Sequence, residues 1–222
     1  MIDKKRLFDF DHSLAGERLQ NAKTPWEALE QISTWICEIG SALDPAEYAE
    51  RSPKVWVHRS ARVAPTAYLG APCIVGPESE VRHCAFVRGA ALIGEGCVVG
   101  NSTEIKNAIL FDHVQVPHYN YVGDSILGYG AHLGAGAVTS NVRSDKRPVV
   151  VHGLGGDVET GRKKVGALVG DGVEVGCNSV LNPGTILGRG TSVYPLTCVR
   201  GEIPENCIVK NDGTVVQKAC KK

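Results

Sequence analysis

Four residues in the middle of the chain have types and spacings that could support chemistry. His113 and His118 are separated by four residues, and a neutral imidazole can take up a proton near neutral pH or bind a metal ion. Arg88 and Lys106 lie 18 residues apart, and cations of this kind hold phosphate groups. These spacings have meaning only if the elements that carry the four side chains place them on one surface.

A six-residue repeat predicts those elements. Large apolar residues recur at every sixth position and small residues recur four positions after them, which indicates short stacked strands joined by tight corners. The large residues are Val57, Val63, Leu69, Val75, Val81, Val87, Ile93, Val99, Ile105 and Phe111, then Leu127 and Leu133, then Val169, Val175, Leu181, Leu187, Val193 and Val199. Cys73 and Cys97 occupy small positions, so we interpret them as packing residues.

The repeat is interrupted twice. From Phe111 to the next predicted inward position, Tyr121, the step is ten residues rather than twelve, and His118 lies in this break. The second break, 140–168, is expected to be a loop with a short hairpin that projects from the stack. Interruptions of a repeat often mark functional sites, because residues that are needed for function there replace those that the repeat requires.

Arg88 and Lys106 are neighbours if one coil contains three hexapeptides. They would then lie on one outward face, about 4.8 Å apart. Like charges at that distance repel unless an anion lies between them. Glu104 could supply that anion, and so could the phosphate of a ligand; alternatively, both side chains extend separately into solvent.

The first 54 residues contain no hexapeptide. Residues 24–27 (TPWE) are typical of a helix start, and an apolar stripe follows until Gly40. We expect this helix to cap the exposed end of the stack. The predicted division is an N-terminal segment at 1–54, a β-helix at 55–205 and a tail at 206–222.

The composition limits the partners that the chain can have. The formal net charge is +0, so no overall field attracts nucleic acid or an anionic membrane. No apolar run is long enough to span a membrane, and no secretory signal begins the chain. The eight cysteines form no Cys-x-x-Cys pair, which favours reduced thiols in a cytoplasmic protein.

Four motifs resemble those of the hexapeptide-repeat acyltransferases, in particular the acetyltransferase half of the bifunctional glucosamine-1-phosphate acetyltransferase/N-acetylglucosamine-1-phosphate uridyltransferases. They are residues 87–89 (VRG), 100–107 (GNSTEIKN), 118–124 (HYNYVGD) and 134–141 (GAGAVTSN). The resemblance implies an all-β fold, a left-handed parallel β-helix with three hexapeptides per coil, and a homotrimer.

The resemblance also implies roles for individual residues. His118 would be the general base that takes a proton from a sugar amine as the amine attacks acetyl-CoA, and Asn141 would lie near it. The sugar phosphate or sugar nucleotide, such as UDP-N-acetylglucosamine, would be bound by Arg88, Lys106, Tyr121, Glu104 and His132. Coenzyme A would lie along Ala135, Gly136 and Cys177.

This chain departs from the family pattern at several positions. His132 replaces an asparagine, Val142 replaces a tyrosine and Cys177 replaces a serine. No glycine-rich nucleotide loop precedes the repeats, so the nucleotidyltransferase domain is not expected. These departures leave open a non-catalytic module that binds sugar nucleotides and partners a separate nucleotidyltransferase.

A metal site is a further alternative. The His113 and His118 pair resembles the spacing in β-helix carbonic anhydrases, which bind zinc or iron at a trimer interface. The third histidine would fall at position 77, which is proline, and the nearest candidate is His83. Residues 88–90 (RGA) also lack the aspartate of the matching turn. The sequence therefore favours acyl transfer without a metal.

Overall fold

The chain winds into a coil with three flat faces. The computed structural model describes residues 3–219, so the first two residues of the predicted N-terminal segment and the last three of the tail lie outside the described residues. The strands of the coil pair in parallel with the strands one coil away. The fold is the predicted all-β, left-handed parallel β-helix.

The strands of the coil fall into three stacks, which we call face one, face two and face three. Face one contains β3 (Arg62–Val63), β6 (Glu80–Val81), β9 (Val98–Asn101), β11 (Gln115–His118), β13 (His132–Leu133), β18 (Glu174–Val175), β21 (Ser192–Val193) and β24 (Cys207–Val209). Face two contains β4 (Tyr68–Leu69), β7 (Phe86–Val87), the first halves of β10 (Glu104–Leu110) and β12 (Tyr121–Leu127), β14 (Val138–Thr139), β19 (Val180–Leu181) and β22 (Cys198–Val199). Face three contains β2 (Val55–His58), β5 (Cys73–Val75), β8 (Ala91–Ile93), the second halves of β10 and β12, β17 (Ala167–Val169), β20 (Thr185–Leu187) and β23 (Glu202–Ile203).

The corners between faces are made by residues in the left-handed region of backbone space. In the coil that carries His118, these are Tyr119 (φ +52°) between faces one and two and Asp124 (φ +49°) between faces two and three. His113 (φ +60°) forms the third corner, between faces three and one. We number these corners one, two and three, in that order. A non-glycine residue adopts this conformation only where the surrounding structure enforces it, and the stacked coils do so here.

The inward row of side chains differs from the strict six-residue prediction at corner two. Val122 pairs with Ile105 and is fully buried, whereas Tyr121 lies outside beside Glu104. Leu110, rather than Phe111, continues the interior row from Ile105, so this side of the coil has five residues instead of six. β10 and β12 each run through a corner that is one residue shorter than the others. The inward residues that follow it therefore come one position earlier than the six-residue period predicts.

The inward prediction for Phe111 was therefore wrong. Phe111 is buried outside the coil, with its ring 5.4 Å from that of Phe8 in the N-terminal segment. Cys73 and Cys97 are fully buried, which confirms their predicted packing role.

The N-terminal helix covers a side of the stack rather than its end. α2 (Pro25–Ala42) packs against β5, β8 and β10 on face three, where its Gly40 lies close against the ring of Trp56. The outward residues of this face are apolar and buried: Ile74, Leu92, Ile109, Ile126, Leu168 and Ile186. The predicted cap was wrong because this second apolar row needs a cover, while the first coil edge is paired by β1 (Tyr48–Ser52), antiparallel to β2.

Two further segments complete the cover of corner three and face three. The segment that contains the 3-10 helices Lys4–Arg6 and Phe10–His12 runs along corner three to α1 (Gly16–Asn21), with Asp112 N donating to His12 O at 3.0 Å. Residues 140–166 form an insertion whose β15 (Val150–Gly153) and β16 (Gly156–Glu159) make an antiparallel hairpin. Arg162 of the insertion forms an ion pair with Glu30 of α2.

The stack also continues beyond residue 205. β24 extends face one, and β25 (Val215–Gln217) folds back antiparallel to it, so these residues of the predicted tail are ordered parts of the fold. Among residues 3–219, no helix is both long and apolar enough to cross a bilayer.

Candidate functional site

Face two carries the predicted phosphate-binding residues on adjacent coils. Val87 pairs with Ile105, and Arg88 N donates to Ile105 O at 2.8 Å, so Arg88 and Lys106 follow equivalent inward residues. The same row continues through Gly123, because Lys106 is paired with it. The sequence prediction that the two cations lie one above the other is therefore confirmed.

Each cation of this row is neutralised by a carboxylate of the chain. Arg88 Nη1 lies 2.7 Å from Glu104 Oε1, and this hydrogen bond raises the pKa of the guanidinium. Lys106 Nζ lies 2.9 Å and 3.1 Å from the two carboxylate oxygens of Asp124. Glu104 is thus the partner of Arg88 alone, and the surface that the two cations share carries no net charge.

Asp124 organises the cluster at corner two. Its side chain is only 5% exposed, and besides Lys106 it accepts hydrogen bonds from Asn107 Nδ2 at 2.9 Å and Asn141 Nδ2 at 2.5 Å. A buried carboxylate is stable in such a site only when charged or hydrogen-bonding partners surround it. We call Lys106, Asn107, Tyr121, Asp124 and Asn141 the corner-two cluster.

Tyr121 spans face two and reaches the same corner. Its hydroxyl lies 3.2 Å from Asn141 Nδ2, and burial raises its pKa, an effect that the hydrogen bond from Asn141 opposes. The phenol lies over Gly123, where a Cβ atom would be only 2.4 Å from the hydroxyl oxygen. Glycine is needed at this position because any side chain would displace the tyrosine ring.

Sequence reasoning missed Asp124 and Asn107 as members of the site. Both residues belong to the motifs that were singled out, but neither was assigned a role. A signal was present, because asparagine and aspartate tolerate the left-handed conformation that a corner demands and can hydrogen-bond locally. Both are corner residues because one side of their coil has five residues. A strict six-residue spacing does not predict that shorter side.

His118 lies at the other end of face two, at corner one. Its side chain is exposed, and within residues 3–219 its ring forms no hydrogen bond. The backbone around it is rigid, since His118 N donates to Asn120 Oδ1 at 3.1 Å. The buried Asn120 amide in turn donates to Gly134 O at 2.8 Å and Ala137 O at 3.1 Å. The imidazole is therefore presented to solvent from a fixed corner.

The predicted coenzyme A residues lie on the coils that follow His118. Gly136 N donates to His118 O at 2.9 Å, and Asn178 N donates to Ala135 O at 2.8 Å. His118, Ala135 and Cys177 therefore occupy equivalent places on three successive coils. The small residues at 135 and 136 leave the backbone next to His118 open, while Cys177 exposes its thiol.

Two predicted placements differ from the structure. Asn141 was expected beside His118, but one chain places it at corner two and His118 at corner one, because the strand between them runs the width of face two. His132 was expected among the substrate ligands, but it lies on face one, with Nδ1 2.7 Å from Glu174 Oε2. The register of β13 fixes that position.

The two histidines of the metal alternative also lie at different corners. His113 is at corner three, where its ring packs edge-on against Tyr129 at 5.5 Å, and His118 is at corner one. Within the described part of the chain, no group of three or more histidine, cysteine, aspartate or glutamate residues is arranged to hold a metal ion.

Comparison with known proteins gives relatives that are named as bifunctional proteins. The chain is 34% identical over 114 residues to the bifunctional protein GlmU of Methanococcus maripaludis strain C5, which covers 51% of this chain and 28% of that protein. It is 33% identical over 98 residues to a bifunctional sugar-1-phosphate nucleotidylyltransferase/acetyltransferase of Sulfurisphaera tokodaii, covering 44% of this chain and 24% of that protein. The chain thus matches only about a quarter of the length of these relatives.

Among solved structures, the acetyltransferase domain of PglB from Neisseria gonorrhoeae FA1090, in complex with acetyl coenzyme A, has a TM-score of 0.33 and 13% identity. That alignment covers 72% of this chain and 55% of the PglB chain. The resemblance predicted from the sequence motifs is confirmed by the sequence relatives. The family model described as the GMPPB C-terminal domain matches residues 71–211. That match spans more than half of the sequence, and the chain therefore belongs to the GMPPB C-terminal domain family.

Proposed function

We propose that the chain transfers an acyl group, most simply acetyl, from coenzyme A to the amine of a sugar phosphate or sugar nucleotide. The observation that carries the proposal is the arrangement of face two, which has an exposed, unencumbered His118 at one end and a polar cluster at the other. The names of the sequence relatives support this reaction class, because one of them is named as an acetyltransferase.

His118 is the general base of the proposed reaction. The amine nitrogen attacks the thioester carbonyl carbon, and the imidazole takes the proton that the amine loses. When the carbon–sulfur bond breaks, the leaving thiolate takes that proton back from the imidazolium, which releases the coenzyme A thiol. Because the His118 ring has no hydrogen-bond partner among the described residues, its nitrogen is free to accept that proton. Ala135 and Gly136 leave room for the thioester beside it. The Gly136 N–H already donates to His118 O, so of these two residues the Ala135 N–H is the candidate donor to the oxyanion.

The corner-two cluster would hold the sugar in this reaction. Tyr121 offers a hydroxyl and Asn141 offers an amide. Arg88 and Lys106, which now pair with Glu104 and Asp124, would bind the anion of a substrate partly in place of these carboxylates. Assembly as a homotrimer, with acetyl-CoA bound along the stack, remains part of the proposal.

The test is product formation from acetyl-CoA and glucosamine-1-phosphate or a UDP-linked amino sugar, followed by chromatography of the sugar. A thiol dye would be confused by the eight cysteines. His118→Ala should lower kcat/KM by roughly 10²–10⁴, the range expected for loss of a general base. His83→Ala is the matched control, because His83 is exposed at the same corner two coils earlier.

Two results would count against the proposal. Equal turnover by wild type and His118→Ala would remove His118 as the base. Binding of a sugar phosphate or sugar nucleotide without any turnover would favour the second candidate function, a non-catalytic binding module. A specific observation favours that candidate, since the cations of face two are already paired with carboxylates.

A further inference from the structure

A polar cavity lies on face two, beyond the corner-two cluster. The insertion leaves the stack after Asn141 and returns at Gly166, so its first residues fold back over the next two coils. Together they enclose a cavity of about 280 Å³. Its lining includes Ser140, Arg143, Ser144, Asn182, His152 and Arg200.

The cavity differs from the corner-two cluster in its charge. Its two guanidinium groups, from Arg143 and Arg200, face a single carboxylate, that of Asp145. Within the described residues Arg200 has no ion pair, whereas Arg143 lies 2.6 Å and 2.9 Å from the two oxygens of Asp145. His152 is held by Asp157 at 2.9 Å. The cavity therefore carries an uncompensated positive charge that the row of Arg88 and Lys106 lacks.

Arg143 is also positioned in advance for a ligand. Its Nε and Nη2 atoms are fixed on Asp145, which leaves Nη1 free to donate. Asp145 has a pKa held well below its usual range, first by the hydrogen bonds from Arg143. A guanidinium fixed in this way loses little rotational freedom when an oxyanion binds.

The position of the cavity limits the size of its ligand. Arg200 follows Asn182 and Ser140 in the outward row that begins at Arg88. From His118 the cavity is two to three coils of about 4.8 Å along the stack and five residues of about 3.3 Å across the face, which is roughly 20 Å. A hexose phosphate is too short to join His118 to the cavity. A molecule with a diphosphate in its middle, either a sugar nucleotide or coenzyme A, has the necessary length.

We infer that this cavity binds a diphosphate group, through Arg200 and the free Nη1 of Arg143. The inference deepens the proposed function and rests on it only for the distance to His118. If the diphosphate belongs to the acceptor, the acceptor is a sugar nucleotide rather than a sugar monophosphate; if it belongs to the donor, the insertion is part of the coenzyme A site.

Calorimetric titration of the wild type and Arg200→Gln with uridine diphosphate, and separately with coenzyme A, distinguishes the two sources. Loss of a charge-assisted contact should weaken binding of one of them about tenfold or more, and Arg200→Lys should recover part of it. Asp145→Asn, which keeps the acceptor for Arg147 N at 3.1 Å, should tighten binding of the same ligand. Arg51→Gln, an exposed arginine in β1, is the matched control and should change neither affinity.

Each outcome has one meaning. A selective loss of uridine diphosphate affinity assigns the cavity to the acceptor, and a selective loss of coenzyme A affinity assigns it to the donor. Unchanged affinity for both ligands in Arg200→Gln overturns the inference, whether or not the chain transfers acyl groups. Loss of turnover in His118→Ala with these affinities intact would concern the proposed reaction alone, so the two failures are separable.

Discussion

Faces two and three are both built from stacked parallel strands, yet the outer side of face two is exposed and the outer side of face three is buried. On face three the outward residues from Ile74 to Ile186 are apolar, as at Leu92, Ile109 and Ile126, and these three side chains are buried under α2 and the insertion. On face two the equivalent outward positions carry Tyr68, Phe86, Glu104 and Tyr121, which remain exposed or partly exposed. The inward rows are alike, so the difference between the two faces lies in their outward rows and in what covers them.

This difference explains where a site can form. A face that binds its own helix has no room for a ligand, whereas face two, on which Glu104 and Tyr121 remain partly exposed, is open to substrates. The shortened corner between the two faces belongs to both. Asp124 is buried there because face three is covered, and it can still hold Lys106 on face two because that face is not.

The largest effect is expected when a charge is placed on the covered face. Ile109→Asp would bury an unpaired carboxylate beneath α2 and should cost more than about 5 kcal/mol, enough to prevent folding. Ile109→Ala should cost about 2–5 kcal/mol, which thermal unfolding by circular dichroism can measure. Val138→Ala, on the outward row of face two, is the comparison and should cost less than about 1.5 kcal/mol. Similar losses at the two positions would refute the distinction between the faces.

Alkaline pH tests the interior that both faces share. Burial raises the pKa of the Cys73 thiol to about 12, so the folded chain holds this proton more tightly than the unfolded chain does. The contribution of this thiol to the free energy of unfolding is fully present below pH 9 and is lost as the pH rises towards 12. A pKa shift of about three units corresponds to a loss of about 4 kcal/mol. Burial also raises the pKa of the Cys97 thiol to about 12, so Cys73→Ala should make that decline shallower, without abolishing it, in urea unfolding measured from pH 8 to 11.

Alanine is chosen to replace Cys73 because the chain already has alanine, Ala91, at the paired position on the next coil. Cys177→Ala, at an exposed thiol, is the control and should leave the decline as steep as in wild type. An equally steep decline in Cys73→Ala would show that the interior thiol does not govern alkaline stability.

A smaller effect is expected at the shared corner. Asp124→Asn keeps an acceptor for Asn107 but leaves the Lys106 ammonium without its counter-charge, and this should cost up to about 3 kcal/mol in chemical unfolding. Glu104→Gln, which removes the partner of the exposed Arg88, should cost less than about 1 kcal/mol. Adding Lys106→Met to Asp124→Asn should recover part of the loss. Equal costs for the two single substitutions would mean that Asp124 is no more than a surface partner.

Much of the fold was predictable because every coil places an apolar residue inward at the same six-residue spacing. The inward rows through Val99 and Ile105 follow from spacing, since each coil copies the one before it. The adjacency of Arg88 and Lys106 follows once a coil contains three hexapeptides, as the family resemblance implies. The prediction failed at Phe111 and Tyr121, where one side of the coil loses a residue and the register moves with it. One missing residue cannot be located by a six-residue period, because several alignments fit the spacing equally well.

The candidate site was named residue by residue from the motifs, but its arrangement was not predicted. His118, Tyr121 and Asn141 were named from motifs, yet the structure separates His118 from the other two by the width of face two. The sequence by itself determined the β-helix and the chemistry available on it, because both depend on residue type at repeated positions. Only the tertiary structure decided that Asp124 pairs with Lys106 and that α2 lies against face three. Those contacts join residues that are far apart in the chain, and which ones meet depends on the corners and on which apolar row needs a cover.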